Sequence, residues 1–297
     1  MRIDCHQHLW PAAFVEALRR RTSVPRLEGW TLHLQGEAPY EVDPDAHDVA
    51  MRRAREVEDG TSSALLSLSS PLGIEHLPLE EARELIEVWH ESAIELGDPY
   101  GVWAATPVSD FDLDALDKVL LHERIVGLQL PATCLATPAA VRRMAPVLDV
   151  LERADKPLLV HPGPAEPAEP VADWWPAVVP YVSQLQASWF AWHVAGRAQN
   201  PRLRIAFVAL AGLAPLHHER LVARGGSFGS IDPLVFYETS SYGTRAIDAT
   251  IRVVGVDPLV HGSDRPYAET RDPGLGDAFT HALFSSNPSN LLTGAPR

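Results

Sequence analysis

"MRIDCHQHLW" (residues 1–10) carries two imidazoles, His6 and His8, two positions apart at the end of the first strand-like run of the chain. Successive side chains of a strand face opposite sides, so residues i and i+2 share a face. His6 and His8 are therefore expected to project together, roughly 7 Å apart at Cα. That spacing lets both rings converge on one ion at about 2.0–2.1 Å. Cys5 and Gln7 are expected to point the other way, toward a helix layer.

The run at 2–6 is the first of eight. Similar β-branched or aliphatic runs recur at 62–68, 101–106, 125–130, 157–161, 204–209, 235–239 and 258–262. Between them, apolar residues fall at helical spacing, as over 79–96, 113–121, 139–154 and 245–254. Such alternation predicts parallel strands joined by crossovers, and eight units predict a closed, distorted (β/α)8 barrel. A doubly wound open sheet would need a Gly-rich phosphate loop after the first strand, and none is present. One domain over 1–297 is expected, with an insertion at 11–44. There Gly29, Trp30, Gly36 and Pro39 suggest a cap or hairpin over the barrel mouth.

Further along, "PGPAEPAEPV" (162–171) predicts a semi-rigid loop. After it, "DWWPAVV" (173–179) and "SWFAWHV" (188–194) gather four of the eight tryptophans. They suit either helix packing or an apolar wall for a substrate or a second subunit.

Composition narrows the function classes. With 46% hydrophobic and 22% charged residues the chain is globular in type. A net charge of -14 argues against a nucleic-acid partner, which would need a basic surface. Cys5 and Cys134 are the only cysteines, so no disulfide framework is indicated and a reducing cytoplasm is the expected compartment. No signal-peptide pattern is seen, and the longest apolar stretch, 205–216, is too short to span a membrane.

Barrels of this kind gather their chemistry at the C-terminal ends of strands. His161 ends the fifth run in "KPLLVHPGP" (156–164), and Asp264 follows the eighth in "PLVHGSDRPY" (258–267). Three separate strand ends thus offer ligand-type side chains to one opening.

Taken together, "DCHQHLW", "VGLQLPATCLATP…PVLDVLERADKPLLVHPG", "FYETSSYG", "VDPLVHGSDRPY" and "SSNPSNLL" make the chain resemble the amidohydrolase superfamily. The likeness is to the amidohydrolase-related branch typified by aminocarboxymuconate-semialdehyde decarboxylase, and it covers nearly the whole length. It implies one divalent metal held by His6, His8, His161 and Asp264, with Asp264 also catalytic. Zinc is preferred for three imidazoles and a carboxylate, while manganese, cobalt or iron would also fit. Such a shell acidifies a bound water toward a pKa of about 7. The expected reaction is hydrolysis of a small carboxylated or cyclic substrate, with non-oxidative decarboxylation as the alternative. A homodimer is expected from the resemblance and the Trp-rich segment.

The sequence departs from the family at one place. Where the family carries a histidine after the sixth strand, "LRIAFVALAGLAPLHHERL" (203–221) has Ala209. An absent acid or base typically costs about 10²–10⁴ in rate, so a metal-binding barrel impaired in catalysis is a further alternative. His217 and His218 are expected on a helix surface, and His193 and His261 in the core. Arg265, beside Asp264, would grip a substrate carboxylate or pair with Glu269. Arg52 and Arg53 are expected on a solvated helix face.

Overall fold

β1 (Ile3–Gln7) is buried along its whole length, as a strand walled on both sides must be. The computed structural model describes residues 1–165, 171–227, 229, 231–269 and 273–294, so residues 166–170 of the expected semi-rigid loop lie outside the described residues. After β1 the insertion folds as α1 (Ala12–Arg20) and a three-stranded antiparallel sheet. Its strands are β2 (Arg26–Glu28), β3 (Thr31–His33) and β4 (Tyr40–Glu41). α2 (Val49–Glu58) then leads back to the barrel, its first turn capped by the Asp48 carboxylate accepting from Met51 N–H.

The remaining barrel strands are β5 (Ser63–Leu66), β6 (Tyr100–Ala104), β7 (Ile125–Pro131), β8 (Leu158–His161), β9 (Ile205–Phe207), β10 (Val235–Glu238) and β11 (Leu259–Val260). All pair in parallel, in the order β1-β5-β6-β7-β8-β9-β10-β11. Every one falls on a run that the sequence pattern marked, with ends that differ by up to two residues, and the (β/α)8 barrel stands.

The helices are α3 (Leu79–Glu95), α4 (Leu113–Leu120), α5 (Pro138–Arg143), α6 (Ala145–Arg153), α7 (Trp175–Val178) and α8 (Pro180–Ala191). They continue as α9 (Arg197–Gln199), α10 (His218–Ala223), α11 (Thr244–Val254), α12 (Asp277–His281) and α13 (Asn287–Thr293). One expectation is corrected: the single helix over 139–154 is two, broken at Met144, because Pro146 has no N–H to continue the ladder. Among the described residues no helix is long and apolar enough to cross a membrane.

The first and last strands share no ladder. Their seam is held by three separate backbone bonds: Cys5 N–H to His261 O (2.8 Å), Asp264 N–H to His6 O (2.9 Å) and His8 N–H to Arg265 O (2.6 Å). β1 also shifts register against β5 between Asp4 and Gln7. Below the mouth, Trp103 fills the barrel and donates its Nε1–H to Cys5 O at 2.9 Å, bracing β1 from β6.

Candidate metal centre

His6 and His8 do leave β1 on one side. Their Nε2 atoms stand 3.1 Å apart, and the donor atoms of His6, His8, His161 and Asp264 all lie within 4.8 Å of one another. The three rings meet edge to face, with centroids 4.9–5.1 Å apart. Asp264 Oδ1 is 3.3 Å from His8 Nε2 and 3.8 Å from His6 Nε2. Asp264 reaches this position through a left-handed backbone (φ 57°) just after β11, held there by its own N–H on His6 O.

Each imidazole is oriented from behind. His8 Nδ1 donates to Ser67 O at 3.0 Å, and His161 Nδ1 donates to Pro162 O at 2.8 Å. A carbonyl only accepts, so both rings carry their proton on Nδ1 and present a lone pair at Nε2. His6 Nδ1 faces the Glu238 carboxylate at 3.5 Å. Burial lowers His161 well below the ordinary imidazole range, and the neighbouring His6 and His8 lower it further. Burial also leaves His8 lowered despite its bond to Asp264. For His6 burial pulls down, but Glu238, Asp264 and Asp4 raise it overall. Burial opposes charge on Asp264, yet His8, His6 and His161 hold its carboxyl below the usual range. Lone pairs of two nitrogens 3.1 Å apart repel unless positive charge lies between them, and three such nitrogens with one carboxylate form a complete donor set for a divalent cation.

Glu238 is the site residue that the sequence reading did not single out. Fully buried at the end of β10, it accepts from Ala209 N–H (3.1 Å), Ser240 N–H (2.5 Å) and Ser240 Oγ–H (2.7 Å). It reaches His6 past Gly262, where any Cβ would overlap its carboxylate. The available signal was a lone carboxylate closing an apolar strand, in "VFYETSS", with a glycine two residues past the end of the next strand.

Ala209 therefore meets the site through its backbone alone. It opens a run of left-handed residues, Ala209 to Leu213, with φ from 47° to 64°. For residues other than glycine this conformation costs about 1–2 kcal/mol each.

The other candidates disperse. The Arg265 guanidinium is buried against Asp59 (2.5 Å), with Glu269 at 3.7 Å and Glu56 at 3.9 Å, so it serves an acidic cluster behind the ligands. Arg52 is a correction. It is buried, not solvated, and donates to His8 O (2.7 Å), Ala46 O (3.1 Å) and Gln7 Oε1. Gln7 in turn donates to Asp4 (3.0 Å) and Glu56 (3.1 Å), and Asp4 accepts from His6 N–H and Ser263 N–H. This network joins β1 to α2 through polar side chains, which the spacing of Arg52 along a helix could not foretell. Arg53 is exposed, as are His217 and His218. His193 donates to Trp189 O, and His261 packs against Phe284 in a tilted pair, ring centroids 4.2 Å apart. Of the four tryptophans, Trp189 and Trp192 are core, whereas Trp174 and Trp175 are exposed.

Fold and site together define a (β/α)8 barrel with a metal-type centre at its C-terminal face. Solved structures of the same fold include the IDCase of Metarhizium anisopliae in apo form (TM-score 0.80, 16% identity, covering 98% of this chain and 97% of that one). Another is an amidohydrolase II protein (TM-score 0.77, 18% identity, 99% and 100% coverage). A third is a 5-carboxyvanillate decarboxylase from Novosphingobium aromaticivorans with bound manganese (TM-score 0.73, 16% identity, 98% and 97% coverage). The likeness to the amidohydrolase superfamily is thus met at the level of the fold. No family model and no curated protein matches the sequence.

Proposed function

We propose that the chain is a metal-dependent carboxy-lyase of the amidohydrolase-superfamily type, removing CO2 without net oxidation from a small cyclic carboxylic acid. Hydrolysis, the reaction first expected, gives way because structures sharing this fold include several decarboxylases, among them the 5-carboxyvanillate enzyme. The observation that carries the reading is the convergence of His6, His8, His161 and Asp264, each imidazole already fixed by an acceptor at Nδ1 or facing one.

His6, His8 and His161 would hold the cation through Nε2, and Asp264 through Oδ1. A divalent ion there supplies a Lewis acid that withdraws charge from a substrate oxygen. Zinc suits the donor set, and manganese is the ion of the 5-carboxyvanillate decarboxylase structure. Asp264, with 21% of its side chain open, is the donor best placed to carry a proton between solvent and substrate. In the reaction the bond from ring carbon to carboxylate breaks, its electron pair stays on the carbon, one proton is taken up there and CO2 leaves. Glu238 keeps the His6 proton on Nδ1, and the Arg52 network holds the β1 backbone. The exposed Trp174, Trp175, Val178 and Val179 offer the face on which a homodimer would form.

Elemental analysis of the purified protein should give about one divalent ion per chain. Turnover of hydroxybenzoic acids in ¹⁸O-labelled water should release CO2 and leave the ring product unlabelled, and His8→Ala should abolish it. Solvent oxygen in the organic product would restore hydrolysis.

A further inference from the structure

Along α2 and its C-cap residue, Arg52, Glu56 and Asp59 follow one another at i, i+4 and i+7, which places them in one stripe on a single side of the helix. Arg52 and Glu56 are buried, where an amphipathic helix ordinarily buries apolar side chains. Taking such charges out of water costs several kcal/mol per ion, and apolar replacements of the same volume are often as stable. Stability alone therefore does not account for the stripe.

The stripe meets the seam between β1 and the turn after β11. Arg52 Nη1 donates to His8 O at 2.7 Å, and the N–H of His8 donates to Arg265 O at 2.6 Å. The Arg265 guanidinium then returns to the helix, pairing with Asp59 at 2.5 Å and standing 3.9 Å from Glu56. His8 is thus held from both directions by arginines that lean on α2. Asp264, next in the chain to Arg265, keeps a left-handed backbone (φ 57°), a conformation that costs about 1–2 kcal/mol and relaxes if its neighbours are free to move. Arg265 is buried among three carboxylates, so its charge is already met without a substrate.

We propose that Arg265 is a positioning residue for the metal centre: anchored on Asp59 and Glu56 of the α2 stripe, it fixes the turn that carries Asp264 and the carbonyl that holds His8, so that donors from opposite sides of the seam meet at one ion. The inference rests on the four-donor centre of His6, His8, His161 and Asp264, and not on the choice between decarboxylation and hydrolysis.

Chelator competition for zinc and manganese, with amide exchange of the metal-free protein, tests it in the full chain, and melting curves of each variant establish folding. Arg265→Met should weaken metal binding about 10- to 100-fold, as loss of a group that orients ligands does. Asp59→Asn should weaken it in the same direction. The double variant should bind no more weakly than Arg265→Met, because both changes remove one contact. Arg265→Lys, which keeps a cation opposite Asp59, should recover part of the loss. In the metal-free Arg265→Met protein the His8 and Asp264 amides should exchange about tenfold faster relative to Leu128 N–H, which is bonded to Pro157 O at 3.0 Å on the far side of the barrel. If Arg265→Met fails to fold, Asp59→Asn and Arg265→Lys supply the same comparison. Unchanged metal affinity in the folded variants, or exchange at Leu128 raised as much as at His8 and Asp264, overturns the positioning role and leaves the centre intact. A parent chain that holds no divalent ion, or His8→Ala binding as tightly as the parent, overturns the four-donor centre and this inference with it.

Discussion

Replacing Glu238 by glutamine should weaken metal binding about 10- to 100-fold without touching a ligand. The carboxylate is surrounded by donors alone: Ala209 N–H, Ser240 N–H, Ser240 Oγ–H and His6 Nδ1. Only an acceptor on both oxygens satisfies all four. An amide in the same space has one oxygen and one NH2. If the NH2 takes the Oε1 place, it opposes Ser240 N–H, and a buried donor left unmet costs about 1–3 kcal/mol. If it takes the Oε2 place, it opposes Ala209 N–H and favours His6 with its proton moved to Nε2, which removes a lone pair from the centre. Loss of such a supporting partner typically lowers metal affinity about 10- to 100-fold, or about 1.4–2.7 kcal/mol. The assay is competition with a chelator at pH 7.5 for zinc or manganese, beside His6→Ala as the full-loss reference. Melting curves with and without metal should show the metal-dependent gain in stability reduced by the same amount. Unchanged affinity in Glu238→Gln, with His6→Ala deficient, would refute the argument that this carboxylate fixes the His6 tautomer.

Burial holds the Glu75 carboxyl near 7, above its unfolded value of 4.5, so the folded chain keeps a proton that the unfolded chain gives up. That contribution is complete below about 4.5 and is lost as pH rises to 7, on the order of 3 kcal/mol at most. Glu75→Gln should flatten the fall in stability between pH 5 and 8, measured by urea midpoints, and an unaltered slope would exclude the assignment. Arg52→Met strips His8 O, Ala46 O and Gln7 of their donor and removes one of the two cations near Glu56, leaving Arg265 alone; it should cost about 3–5 kcal/mol in denaturant unfolding, and a loss under 1 kcal/mol would mean the network is dispensable. Ala209→His returns an imidazole to the end of β9: if the parent already turns over its acid, the variant should not exceed it tenfold, whereas activity appearing only in the variant would favour the impaired-barrel alternative.

The barrel was legible because buried parallel strands leave near-continuous apolar runs, and eight of them left little latitude. His6, His8, His161 and Asp264 were legible for a related reason, since a polar side chain at the end of such a run has few other uses. Glu238 was equally conspicuous in composition, but its role depends on reaching His6 past β11, a strand of two residues, through a gap left by Gly262. That is a three-body fact with no linear signature. Arg52 misled because a charged residue on an amphipathic helix is ordinarily solvated. Its burial follows from acceptors on Gln7, His8 and Ala46 that only the packed structure brings together. The break at Met144 has a linear signature in Pro146, which cannot continue the ladder of the preceding helix.

The sheet never fully zips: between β1 and β11 three isolated bonds stand where a ladder would run. His6 and His8 stand on one lip of that gap, Asp264 on the other, and His161 across the mouth. An ion seated among them is therefore a rivet through the weakest arc of the hoop, and binding it should quiet the breathing of the whole ring. Amide exchange slowed at Cys5 and His8 on loading with metal alone, before any substrate is added, would be its signature.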